Sequence, residues 1–211
     1  MVNFMSNFVV TITRTCGSGG TSIANLVAKD LNIKVYDRNL LKLASYDSGI
    51  NRRLFEQADE DTKKSILYKV SKRVYKGELI PPESNDFTSN DNLFNYQAKV
   101  LKELAKESSY IVIGRGADYI LRDNQRIVKI YIYASEFDCI NREMKRLGID
   151  IKEATDLVNK TNTYRSIYYK YHTGRRWRDV ENYDLVLNTS RFSYEECAEI
   201  IKNYNKFIET K

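Results

Sequence analysis

At 211 residues, 42% hydrophobic and 29% charged, the chain is long enough for one α/β domain with a buried core and a small inserted subdomain; no apolar run approaches the roughly 18 residues of a membrane span. Three scattered cysteines (Cys16, Cys139, Cys197) and a single histidine, His172, exclude a disulfide framework, a zinc site of paired cysteines and catalysis built on several histidines. The net charge of +6 leaves open a phosphate-bearing ligand, a nucleic acid or a merely solvated surface.

Residues 1–8 carry no basic region followed by a long apolar stretch, so no secretory leader is expected and the cytoplasm is the expected compartment. The β-branched run FVVTIT at 8–13 predicts a strand, and RTCGSGG at 14–20 a glycine-rich turn. Ile23, Leu26, Val27 and Leu31 then fall at helical spacing over 21–31. A short strand is expected at 33–36, with Asp37 able to cap a following helix that carries Leu40, Leu41 and Ala44. Residues 51–77 read as polar helix, 81–90 (PPESNDFTSN) as loop and 93–106 as helix. Strands are expected at 110–113, 127–133 and 183–187, and helices at about 136–147, 151–171 and 194–207.

Strands alternating with helices predict a five-stranded parallel sheet covered on both faces. Region 51–107 is too long for a simple crossover and is expected to form a helical cap over the ligand edge of the sheet.

The strand–glycine loop–helix unit at 8–31 carries the strongest chemical signal. A phosphate needs backbone N–H groups that converge on its oxygens without side-chain obstruction, and the helix dipole adds a favourable field at the same place. Gly17, Gly19 and Gly20 permit that approach, with Ser18 between them. Thr21 and Ser22 place hydroxyls where they can meet phosphate or a magnesium-bound water. A tight structural turn is the plain alternative. Gapless comparison with GxxxxGK[ST] sets Gly20 at the lysine position and Arg14 at the first glycine. Arg14 is either a substitute cation or a packing stem. Arg115 follows an apolar strand between two glycines, where open α/β sheets bind ligands, unless it pairs with a nearby carboxylate. Asp118 could orient a metal-bound water or simply favour the first turn of a short helix. YRSIYYKYHTGRRWR at 164–178 interleaves rings and cations. That composition suits a nucleic-acid surface, a lid closing on a nucleotide, or a helix turning Tyr164, Tyr168 and Tyr171 to the core.

VVTITRTCGSGGTSIANLVAKDLNIKVYDRNLL resembles the opening of the cytidylate kinases, and more closely the branch called cytidylate kinase-like proteins. That branch has an Arg-x-x-Gly-Ser-Gly-Gly loop, a Tyr-Asp-Arg ending the second strand and a Gly-Arg ending the third. The resemblance continues through IVIGRGADYIL, IYIYASEFDCINREMKR and YRSIYYKYHTGRRW…NYDLVLNTS, and is weakest at 51–107. It implies a P-loop NTPase fold of the nucleoside-monophosphate-kinase type, with an acceptor-binding insertion at 51–107 and a lid at about 148–180. It implies magnesium-dependent transfer of the γ-phosphoryl of ATP to a monophosphate, CMP or dCMP. By position, Arg115 matches an arginine holding the acceptor phosphate, and Asp37 an aspartate at the acceptor site. Arg142 and Arg146 match the basic helix leading to the lid, Arg165 a lid arginine, and Asp184 an aspartate associated with the acceptor sugar. Three positions depart from the pattern: Asn162 stands where relatives usually carry Asp, Gly116 where cytidylate kinases carry Asp after Gly-Arg, and Gly20 where the lysine belongs. The rival expectations are a non-catalytic nucleotide-binding protein of the same fold and, behind it, a nucleic-acid-binding module.

Overall fold

The computed structural model describes residues 7–37, Ile66, Val70 and 90–209. Strand β1 (Val9–Arg14) leads through the glycine loop into helix α1 (Gly20–Leu31), and β2 (Lys34–Tyr36) follows. The next described elements are α2 (Asn90–Glu107), β3 (Tyr110–Ile113), the short α3 (Ala117–Ile120) and β4 (Ile127–Tyr133). Helices α4 (Glu136–Leu147) and α5 (Ile151–Thr173), strand β5 (Leu185–Asn188) and α6 (Tyr194–Glu209) complete the order. The expected helix after Asp37 and most of the expected cap and loop at 51–90 lie outside the described residues; Ile66 and Val70 are helical, and Val70 is buried.

The five strands form one sheet in the order β2-β3-β1-β4-β5, and every described pairing is parallel. β1 is central because its residues are apolar or β-branched on both sides of the pleat. Val10 and Ile12 point to the face covered by Ile23, Ala24 and Val27 of α1 and Cys197 and Ile201 of α6. Val9 points to the opposite face, with Leu101 and Leu104 of α2 and Ile120 of α3. Parallel strands put all their carboxyl ends on one edge, so the loop after β1 and the Gly-Arg-Gly after β3 are neighbours.

α5 runs 23 residues. Asp150 and Glu153 form a reciprocal capping box at its start, and Gly174 ends it in a left-handed conformation at φ 71°. Within it, Tyr169 is the buried tyrosine, packed with Tyr131, Trp177 and Tyr183. Tyr164 and Tyr171 stay more than half exposed, which corrects the expected 164/168/171 core face. The buried side chains Ala154, Val158 and Tyr169 define a different stripe. The last strand begins at Leu185 rather than 183. A turn of 3₁₀ helix at Val180–Asn182 precedes it, and the Tyr183 hydroxyl donates to the Trp177 carbonyl oxygen at 2.7 Å. No helix among the described residues is long and apolar enough to cross a membrane.

Candidate functional site

The loop at 15–19 is tied to β4 at its start and folded back on itself around the buried Ser18. The Thr15 N–H donates to the Ile132 carbonyl of β4 at 3.0 Å, and the Ser18 hydroxyl donates back to the Thr15 carbonyl at 2.9 Å. Gly17 and Gly19 both take positive φ, 74° and 78°. A Cβ on Gly17 would lie 2.5 Å from the Cys139 carbonyl oxygen of α4, and one on Gly19 would strike the Tyr194 ring. The Ile23 N–H closes the first turn of α1 onto the Gly19 oxygen at 3.0 Å, so the amides ahead of it face out of the helix end. They face a cavity of about 550 Å³ lined by Gly17, Gly19, Gly20, Thr21, Ser22 and, across it, Arg142. An anion there meets main-chain donors and the positive helix end together.

A second cavity of about 150 Å³ adjoins it, lined by Gly114, Arg115, Gly116, Tyr164 and Tyr168 among others. Arg14 and Arg165 line both cavities. Arg14 leaves the end of β1 with its stem across Gly20: a Cβ there would sit 2.7 Å from Arg14 Cβ and 2.9 Å from Cγ. Its guanidinium ends against Gly114, where a Cβ would lie 2.6 Å from Nη1. Loss of solvent, then repulsion from Arg165 and Arg115, pulls the Arg14 guanidinium down to about 9, with Asp37 opposing. Arg165 donates from Nη1 to the Arg14 carbonyl oxygen at 3.0 Å, and burial lowers its pKa too. Arg115 adopts φ 66° between Gly114 and Gly116 and holds its guanidinium over the Tyr168 ring at 5.4 Å. No ion pair among the described residues engages these three guanidinium groups. Arg14 and Arg165 thus hold positive charge largely out of water, with no carboxylate bonded to either guanidinium among the described residues.

The other expected residues are placed as follows. Arg142 donates to the Gly17 oxygen (3.3 Å), the Thr189 hydroxyl (2.9 Å) and the Thr189 carbonyl (2.7 Å), tying the loop to the end of β5, and lies over the Tyr194 ring. Arg146 lines the loop cavity and is paired with buried Glu143. Asp37 follows β2 at the ligand edge and acts on Arg14 through its charge. Asp118 lines neither cavity. It is 3% exposed, its Oδ2 accepts from the Tyr169 hydroxyl at 2.5 Å, its Oδ1 has no partner, and burial pushes its carboxyl up. Asp184 is not brought to the cavities either. It precedes β5, accepts the Lys129 N–H at 2.8 Å, and so sits toward the amino end of a strand whose carboxyl end faces the site.

Sequence reasoning missed four contributors. Asn162 Oδ1 accepts the Cys16 N–H at 2.8 Å, joining α5 to the loop. Glu143 and Tyr194 line the loop cavity, and the Thr189 hydroxyl donates to the Ser18 carbonyl at 2.9 Å. Only Asn162 was signalled, as a departure from a pattern; the others depend on long-range packing. Among the described residues no three His, Cys, Asp or Glu side chains gather as metal ligands. The hydroxyls of Thr21 and Ser22, exposed on the first turn of α1 within the loop cavity, fit the lighter task of contacting a metal that arrives on phosphate oxygens.

The model of the cytidylate kinase-like family matches residues 9–191. Among curated proteins, the chain is 26% identical to the cytidylate kinase of Methanopyrus kandleri, over 94% of this chain and 93% of that one. It is 25% identical to the cytidylate kinase of Archaeoglobus fulgidus, over 96% and 95%. Among solved structures, a protein of Eubacterium ventriosum superposes with a TM-score of 0.71 at 21% identity, covering 95% of this chain and 99% of the other. The shikimate kinase of Bacteroides thetaiotaomicron superposes with a TM-score of 0.50 at 13% identity, covering 94% and 98%. These two likenesses speak to the fold.

Proposed function

The chain belongs to the cytidylate kinase-like family, and from that we propose that it transfers the γ-phosphoryl group of ATP to a nucleoside monophosphate, CMP or dCMP. The observation that carries the reading is the meeting of two cavities at Arg14 and Arg165, which make no ion pair among the described residues, with one cavity walled by loop amides. The relatives named cytidylate kinase supply the acceptor class.

In this reading the amides of Gly17, Gly19, Gly20, Thr21 and Ser22 hold the donor phosphates; Ser18, expected among them, is instead fully buried, lines neither cavity and gives its N–H to the Thr15 carbonyl at 3.4 Å. Arg115, seated at the end of β3 in the smaller cavity, holds the acceptor phosphate, with Asp37 on the same side. Arg14 and Arg165 face the space between the two and stabilise charge on the group in transit. Arg142 keeps the loop closed against β5, and Arg146 extends the positive wall on the lid side. Bound Mg²⁺ would neutralise charge on the triphosphate, with Thr21 and Ser22 the residues able to contact it or its waters. Free thiols at Cys16, Cys139 and Cys197 suit a reducing cytoplasm.

ADP release measured over CMP, dCMP, UMP, AMP and GMP tests the proposal. The cytidine acceptors are expected to give the highest kcat/KM. A second reading, nucleotide binding without turnover, is favoured by one observation, glycine at position 20. ATP binding by calorimetry with no ADP release from any acceptor would decide for it.

A further inference from the structure

Gly20 raises a specific question, because phosphoryl transfer is mostly positioning and charge, and glycine supplies no charge. A lysine at position 20 cannot coexist with Arg14 as placed. The Cβ of any side chain there would fall 2.7 and 2.9 Å from the Cβ and Cγ of Arg14. Those are the first atoms of the stem, fixed by a central strand, and cannot swing aside as a side-chain tip could. The same arginine ends at Gly114, where a side chain would collide with Nη1. Arg14 therefore runs in a trench made by two glycines from separate segments, and the trench opens on both cavities. No hydrogen bond or ion pair ties its guanidinium to another group among the described residues. Arg165, which shares both cavities, already spends one guanidinium nitrogen on the Arg14 carbonyl.

We propose that Arg14 is the catalytic cation that replaces the loop lysine, and that Gly20 and Gly114 are glycines because its side chain occupies their space. The inference rests on the phosphotransferase reading of the site. An oxygen of the dianionic acceptor phosphate forms a bond to the γ-phosphorus, the bond from that phosphorus to the β–γ bridging oxygen breaks, and ADP leaves with the electron pair. No proton has to move. The negative charge that builds on the γ-oxygens and the bridging oxygen falls between the cavities. There a planar fork can hold two oxygens, where lysine would offer a point charge.

The test uses the full chain with ATP and CMP, and thermal melts to confirm folding. Arg14→Met is expected to lower kcat by about 10²-fold or more and to abolish the preference for ATP over ADP in calorimetry, with ADP affinity changed less than about threefold. Gly20→Lys alone is expected to lose activity, and the double variant Arg14→Gly with Gly20→Lys to regain at least about tenfold over Gly20→Lys. Arg14→Met within about threefold of the wild-type kcat, or a double variant no better than either single, overturns the proposal. If Arg14→Met does not fold, Arg14→Lys decides. It keeps stem and charge without the fork, and should lose about tenfold in kcat if Arg14 grips phosphate, and nothing if Arg14 only packs. If the wild type turns over no monophosphate, the phosphotransferase reading falls, and calorimetry still judges Arg14: a preference for ATP surviving in Arg14→Met overturns its role, and loss of that preference supports it.

Discussion

Asn162 accepts the N–H of Cys16 at 2.8 Å, so α5 is bonded to the glycine loop across 146 residues of chain. The amide of a loop held this way keeps its partner only while α5 stays docked. Asn162→Leu leaves that N–H unsatisfied and should cost about 1–3 kcal/mol of stability in denaturant unfolding. Asn162→Asp keeps the bond but adds negative charge near the arginines. Its stability should stay close to wild type, because the carboxylate accepts the same N–H; a loss above about 1 kcal/mol in denaturant unfolding would show that the bond is not kept.

Gly17 has no room for a side chain and no conformational tolerance for one. A Cβ would meet the Cys139 carbonyl at 2.5 Å, and φ is 74°. The obstacle is backbone of α4 and cannot rotate away. Gly17→Ala should therefore destabilise by at least about 2 kcal/mol and weaken ATP binding together, read from melting temperature and calorimetry.

Arg142 makes its bonds to carbonyl and hydroxyl oxygens rather than to a carboxylate, so salt should hardly affect them. Arg142→Lys cannot span both Gly17 and Thr189. It should lose about 2 kcal/mol, read from the urea midpoint, nearly equally at low and high ionic strength.

Asp118 predicts a pH slope. Its folded pKa is raised by burial, so the folded chain binds this proton more readily than the unfolded chain does. Between the ordinary carboxylate range and the raised value, stability must fall as pH rises, and recover as pH drops. Asp118→Asn should flatten that stretch of the melting-temperature curve. Parallel curves for the wild type and Asp118→Asn would show that the carboxyl titrates normally.

The sheet was readable because FVVTIT, YIVI and IVKIYIY are strand-length apolar runs, and the glycine loop sits between a strand and a periodic helix. Side-chain direction was harder. With tyrosines at 164, 168, 169 and 171, helical spacing alone admits more than one buried face, and only the packing of Tyr169 on Trp177 and Asp118 selects one. Asp184 was legible as a residue and illegible as a position, since a resemblance by sequence order does not say which end of a strand carries a side chain. Asn162, Thr189 and Tyr194 reach the loop from more than 140 residues away, beyond any local pattern.

α5 runs 23 residues without a break, roughly 35 Å, from its capping box to Gly174. Along this one bar stand Asn162, which touches the donor loop, Arg165, which faces both chambers, and Tyr168, which carries the Arg115 side chain. These three residues span fewer than two turns of the helix, about 9 Å, so they move together. In the proposed reaction, donor and acceptor would therefore meet one and the same helix, about two turns of it carrying the contacts to both chambers.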